Sequence, residues 1–169
     1  MRCFFATWPD ETSRLALAAV SDDVSERVGH RRQTRADDLH LTLTFIGDLA
    51  EDDALALARA AQALHFRPLE WTLDRLGFFE PAGVVWAGSD AGSKAHESLT
   101  GIAAKLRLIL RRSGLGYDDR PLVPHVTLLR GVRQFTAQRV APIVWRIDSL
   151  ALYRSTGGRS GARYCPVLD

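Results

Sequence analysis

Lysine, cysteine and long apolar runs are all scarce in this chain, and each scarcity excludes something. Of 169 residues only Lys94 and Lys105 are lysines, so the basic side chains are almost all arginine. The 22 basic and 20 acidic residues leave a formal charge of +2. So small a surplus does not by itself argue for wrapping duplex nucleic acid, which needs a concentrated basic face. Arginine is the better residue for bidentate phosphate contacts, although a GC-rich genome produces the same bias on a surface. The two cysteines, Cys3 and Cys165, lie near opposite ends with no CxxC spacing, which excludes a disulfide framework and reads as reduced thiols. No apolar run is long enough to span a bilayer. The opening segment, broken by Pro9, is too short for a secretory signal. A cytoplasmic chain with no membrane partner is expected. Hydrophobic residues at 46% and charged residues at 25% are a globular mixture. One domain over residues 1–169, made of two small lobes on a shared core, is the expected organisation.

Against these absences stands one short phrase, which occurs twice. His40-Leu41-Thr42-Leu43 and His125-Val126-Thr127-Leu128 both read His, apolar, Thr, apolar, and each is followed closely by a glycine, Gly47 or Gly131. With five histidines in the chain, shuffling this composition gives two such tetrads about once in several hundred trials. In an extended strand, residues i and i+2 share a face. Each phrase therefore presents an imidazole and a hydroxyl on one side and aliphatic residues on the other. The phrases lie 85 residues apart, about half the chain. This spacing points to two lobes related by approximate symmetry.

Periodicity and turn signals predict the elements around them. Arg2 to Thr7 is a strand. A helix capped by Asp10 runs to about Val28 on a stripe of Leu15, Ala18, Ala19, Val24 and Val28. Gly29 to Asp38 reads as a basic loop, Leu39 to Ile46 as a strand, and Asp48 to Leu64 as a helix entered through Asp48 or Asp52. Trp71 to Phe79 and Val84 to Ser89 form a hairpin around Glu80-Pro81-Ala82-Gly83. Ser93 to Arg112 is a helix closed at Gly114, and Asp118 to Pro124 is a loop. Val126 to Leu129, Val144 to Tyr153 and Ala162 to Val167 are strands, with Gly157 to Gly161 a flexible turn before the last. Strand pairs joined by short turns and separated by helices predict an α+β fold with largely antiparallel sheets.

The chemistry follows from the side chains. Histidine alone has an unperturbed pKa near neutrality. Two imidazoles flanking one phosphorus can divide acid and base duties, and threonine hydroxyls can donate to the non-bridging oxygens where negative charge collects. A phosphodiester with a strained five-membered ring, or with a neighbouring hydroxyl nucleophile, suits such a site. Each phrase alone reads better as a strand with an incidental histidine; the matched pair carries the functional reading. No third ligand stands out beside the histidines, since Asp37 and Asp38 serve as readily as loop or cap residues. No metal and no cofactor is expected.

The paired phrases resemble the two-histidine (2H) phosphoesterases, and within them the RNA 2′,3′-cyclic phosphodiesterases, also called 2′-5′ RNA ligases. The resemblance covers nearly the whole chain. Arg2-Cys3-Phe4-Phe5-Ala6 is similar to that family's first strand, Leu39 to Gly47 to its first motif, and Arg120-Pro121-Leu122-Val123-Pro124-His125-Val126-Thr127-Leu128 to its second. Leu152-Tyr153-Arg154-Ser155, the glycine turn and Tyr164 resemble its closing hairpin. Gln33 and Ala36 stand where the family often has tryptophan and proline, and Leu129-Arg130-Gly131 replaces a common alanine-arginine. The resemblance implies two pseudo-symmetric lobes, each an antiparallel sheet with outer helices, around a cleft. It implies His40 as proton donor, His125 as proton acceptor, and Thr42 and Thr127 as phosphate ligands. Arg120 and Arg130 would add positive charge, although strict strand alternation turns Arg130 away from His125 and Thr127. Phe5 and Tyr153 are candidates to contact the base because their strands neighbour the cleft in that fold.

The expected activity is hydrolysis of RNA 2′,3′-cyclic phosphate ends to 2′-phosphates, with 2′-5′ ligation as reverse chemistry at the same site. The expected partner is an RNA end, such as a tRNA fragment, or a small nucleotide, met by a monomer. Alternatives are a phosphodiesterase for small cyclic nucleotides or 2′-5′ oligonucleotides, and a non-catalytic RNA-end binding module. Trp8, Trp71, Trp86 and Trp145 read as core, with stacking on a base the alternative, and His30, His65 and His96 read as exposed and inert. The run Arg31-Arg32-Gln33-Thr34-Arg35 reads either as a solvated loop or as a contact to an RNA backbone.

Overall fold

The computed structural model describes residues 1–157 and 163–168; most of the Gly157–Gly161 turn and Ala162 lie outside the described residues. Among the described residues the elements run β1 (Arg2–Thr7), α1 (Glu11–Arg27), β2 (Arg32–Gln33), a 3-10 turn at Ala36–Asp38, β3 (Leu41–Asp48), α2 (Glu51–Gln62), β4 (Leu69–Phe79), a 3-10 turn at Glu80–Ala82, β5 (Val84–Gly88), α3 (Lys94–Arg112), β6 (His125–Arg130), β7 (Gln138–Ile147), β8 (Ala151–Ser155) and β9 (Tyr164–Pro166). The strands form one antiparallel sheet in the order β7-β4-β5-β6-β3-β1-β8-β9, with β2 pairing β6. The sheet divides at its middle. β3 and β6 meet only at Leu41 opposite Val126 and then diverge. Among the described residues the first lobe thus has four strands, β3-β1-β8-β9, and the second has β6-β5-β4-β7 with the short β2 added on β6. α2 packs on β8 of the first, α1 on β7 of the second, and α3 against both β3 and β4. This is the α+β, two-lobed, antiparallel arrangement expected from the sequence.

The helices bury one face each. In α3, Leu99, Ile102, Ala103, Leu106 and Leu110 repeat at helical spacing and are buried, while Ser93 accepts the His96 backbone N–H at 3.1 Å. In α1 the buried stripe is Ser13, Leu17, Ser21 and Val24, and the expected Leu15 is exposed. The face turns because its hydroxyls are satisfied inside. Ser13 Oγ donates to the Val144 carbonyl at 3.2 Å, and Ser21 Oγ accepts from Gln33 at 3.2 Å. Helix α2 begins after Ala50 with no side-chain cap, not at Asp48 or Asp52; Glu51, Asp52 and Asp53 instead offset the N-terminal dipole.

Two strand expectations are corrected. The supposed loop before the first phrase contains β2 and a 3-10 turn. The supposed strand from Val144 to Tyr153 is two strands: β7 reaches back to Gln138, and β8 begins at Ala151 in the other lobe. Pro142 is tolerated in β7 because that strand lies at the sheet edge. Cys3 and Cys165 are both free thiols. No helix among the described residues is long and apolar enough to cross a membrane.

Candidate active site

The one bridge between the lobes fixes the site. Leu41 and Val126 are each fully buried, so their neighbours in sequence point to the opposite face. Antiparallel register around this pair sets His40 opposite Thr127 and Thr42 opposite His125. The two imidazoles therefore stand on a diagonal across the Leu41–Val126 bridge, one on each side of it. That placement lets them flank a single phosphate from two sides. All four side chains line one cleft of about 460 Å³, together with Arg2, Phe4, Arg32, Phe45, Arg130, Arg163 and Tyr164.

Each imidazole is held in the same way. His40 Nδ1 lies 2.6 Å from the Asp38 carbonyl, and His125 Nδ1 lies 2.6 Å from the Val123 carbonyl. A carbonyl only accepts, so Nδ1 carries the proton in both rings and Nε2 is left as the reactive nitrogen. Rings pack around them. Trp8 stacks on His40 with centroids 4.5 Å apart and planes at 13°, and its indole N–H donates to the Asp37 carbonyl at 3.0 Å. Phe4 and Tyr164 contact His40 at 5.3 Å and 5.0 Å. Phe79 meets His125 edge-on at 4.9 Å. Burial among these groups pushes His40 down to about 4, against the hydrogen bond to Asp38, with the charges of His125 and Arg130 adding to the effect. His125 is lowered too, by burial first and Arg130 second, against its bond to Val123. Both shifts favour the uncharged imidazole.

The second lobe adds a cation through a bulge. Val85 pairs with Leu129 and Trp86 with Thr127, so β6 holds one extra residue there. Leu128 and Leu129 are consecutive and both fully buried. The phase of the strand shifts by one, and Arg130 arrives on the same face as His125 and Thr127. Burial and the nearby Arg32 and Arg163 lower its pKa, yet it stays charged. The first phrase has the same irregularity: Phe5 pairs with Thr44 and Ala6 with Thr42, Leu43 and Thr44 are both buried, and Phe45 follows into the cleft. Among the described residues no three histidine, cysteine or acidic side chains gather as a metal site requires.

The family model for the 2′-5′ RNA ligase superfamily matches residues 9–159. The chain belongs to the 2′-5′ RNA ligase superfamily. It is 32% identical to an RNA 2′,3′-cyclic phosphodiesterase of Escherichia coli, over 93% of this chain and 95% of that one. It is 30% identical to one from Thermus thermophilus, over 92% and 82%. Its structure is similar to a crystal structure of E. coli LigT complexed with 3′-AMP, with a TM-score of 0.82 at 29% identity, covering 98% of this chain and 94% of that one.

Within this superfamily member the predicted site residues fall into two groups. The cleft brings together His40, His125, Thr42, Thr127 and Arg130. It does not bring in Arg120, whose guanidinium is clasped by the adjacent Asp118 carboxylate at 2.9 and 3.0 Å and lies largely in solvent. Nor does it bring in Phe5, which is fully buried in the core. Register explains this: Phe4 pairs with Tyr153 and Phe5 with Leu152, so Phe4 and Tyr153 share the cleft face. Tyr153 stands behind the first row, 4.1 Å from Trp8 and 6.1 Å from Phe4, and burial raises its phenol pKa. Trp71, Trp145 and Trp86 are buried as expected, whereas Trp8 belongs to the site. Sequence reading missed Arg2, Phe4, Trp8 and Arg163, and named Arg32 only within the basic run from Arg31 to Arg35. Strand alternation already sets Arg2 and Phe4 apart from Cys3 and Phe5; nothing local marks Trp8 or Arg163.

Proposed function

We propose that this chain hydrolyses the 2′,3′-cyclic phosphate at the 3′ end of RNA, leaving a 2′-phosphate, without a metal or cofactor. The observation that carries the reading is the pair of imidazoles anchored alike through Nδ1, each presenting Nε2 to one cleft that also holds two threonine hydroxyls and Arg130. The phosphate anion enters between them. Its charge favours imidazolium and raises the depressed pKa values. His125 Nε2 takes a proton from water as the water oxygen bonds to phosphorus. The bond from phosphorus to the ribose 3′ oxygen breaks, and His40 Nε2 gives that oxygen its proton. Thr42, Thr127 and Arg130 donate to the non-bridging oxygens, where charge accumulates. With a ribose 5′-hydroxyl in place of water, the same acid and base would form a 2′-5′ link, and the reverse step would cleave it.

Support comes from the named relatives, which are RNA 2′,3′-cyclic phosphodiesterases, and from the nucleotide held by the similar LigT structure. The enzyme is read as a cytosolic monomer whose two lobes act as one domain. The test is turnover of cyclic-phosphate-ended RNA after dialysis against a strong chelator, with product isomers resolved. The expected result is undiminished activity and 2′-phosphate alone. A 3′-phosphate product would reverse the donor and acceptor roles, and activity restored only by a divalent metal would overturn the mechanism.

A further inference from the structure

Beside the catalytic cleft lies a second groove, of about 710 Å³, between the end of α1 and the turn that leaves β6. Arg27, His30, Arg31 and Arg133 line it, and no carboxylate among the described residues does. Arg27 is held by Asp23, one helical turn away. Among the described residues Arg31 and Arg133 have no carboxylate partner.

The groove and the cleft share a wall. β2 pairs with β6 through Arg32 opposite Arg130, and the Arg31 backbone N–H donates to the Arg130 carbonyl at 2.9 Å. Successive residues of a strand point to opposite sides. Arg32 accordingly lines the cleft and Arg31 the groove. On the other strand Arg130 lines the cleft, the chain turns at Gly131, and Arg133 lines the groove. Gly131 has φ +71°, and a Cβ there would fall 2.7 Å from Arg31 Cβ and Cγ. Its lack of a side chain lets the Arg31 stem lie across the turn. Cations thus continue from the catalytic phosphate position over one two-stranded wall.

We infer that this second groove is a phosphodiester-binding site that holds the RNA strand on the 5′ side of the reacting end. The inference rests on the proposed cyclic phosphodiesterase reading and names its substrate class as oligonucleotide. A 2′,3′-cyclic phosphate is a terminal group, so the rest of the strand leaves the cleft in the 5′ direction only. Each further nucleotide carries one negative charge. The groove offers guanidinium groups, one imidazole (His30) and, among the described residues, no Phe, Tyr or Trp ring, so it favours backbone over base sequence.

Calorimetric binding of two probes tests this. One is an RNA of about ten nucleotides ending in a 2′-phosphate; the other is adenosine 2′-monophosphate. Wild type is compared with the Arg31→Ala/Arg133→Ala double variant and with the corresponding double lysine variant. The mononucleotide should bind wild type and the alanine variant alike, which also reports an intact cleft. For the oligonucleotide, loss of two single-strand phosphate contacts should reduce the slope of log affinity against log salt by about 1.4. The wild-type advantage should then shrink about sevenfold between 50 and 200 mM salt, and the lysine variant should recover most of the affinity. Equal oligonucleotide affinity and salt slope in wild type and alanine variant would overturn the groove while leaving the catalytic reading intact. Failure of wild type to bind either probe would overturn both.

Discussion

The burial of His40 makes a prediction about stability that is independent of any substrate. Its imidazole is lowered from 6.5 to about 4 by desolvation under Trp8, Phe4 and Tyr164. In the unfolded chain it titrates near 6.5. Because the folded pKa is the lower of the two, the unfolded state binds the proton first as pH falls. The native state is favoured above pH 6.5, and that advantage is lost progressively between pH 6.5 and about 4. At about 1.4 kcal/mol per pKa unit, the loss from this one group between pH 7 and pH 4 is about 3 kcal/mol. His40→Gln removes the titrating group while keeping a polar side chain of similar size. Urea unfolding of both proteins at pH 7, 5 and 4 isolates the term, since His125 and the carboxylates contribute to both. The gap between wild type and variant should move by about 3 kcal/mol in favour of the variant as pH falls. Parallel stability curves would show that the ring is hydrated in the folded protein and would refute the argument from burial.

Two further outcomes concern the cleft. Arg130→Gln should lower kcat/KM by about ten- to a hundredfold, the scale of a lost charged hydrogen bond to phosphate, whereas Arg120→Ala should leave it within about twofold; the reverse pattern in steady-state kinetics would contradict the position given to Arg130 by the β6 bulge. The pH profile of kcat/KM should be a bell centred below 6.5, because both imidazoles are lowered in the free site. Its limbs belong to the coupled pair. The basic limb of kcat should lie higher, because bound phosphate favours imidazolium. Coincident profiles would contradict that coupling.

How much of this was legible beforehand differs from residue to residue. The two phrases placed His40, Thr42, His125 and Thr127 in one cleft because a period of 2 is a strong local rule and both histidines obey it. The same rule misdirected Arg130. Alternation was counted through Leu128 and Leu129, and nothing in an apolar pair announces that one of them is an extra residue. Phe4 and Phe5 needed one more step, since choosing between them depends on which face of β1 meets the core. Arg120 looked like a phosphate ligand from its place in the motif, but Asp118, two residues earlier, holds it. Trp8 was out of reach. It contacts His40 across 32 positions of sequence, and its indole fixes the Asp37 carbonyl, next to the carbonyl that orients the imidazole. Strand β7 was half missed because Pro142 argues against a strand unless that strand is known to be an edge.

The central claim is that two imidazoles act as one acid–base unit on a cyclic phosphate. Single and double substitutions measured on one substrate test it most directly. His40→Ala and His125→Ala should each lower kcat on cyclic-phosphate-ended RNA by about a hundredfold or more. The double variant should fall far short of the product of the two losses, because removing either partner already disables the pair. Near wild-type turnover in either single variant, or losses that multiply in the double variant, would contradict the account.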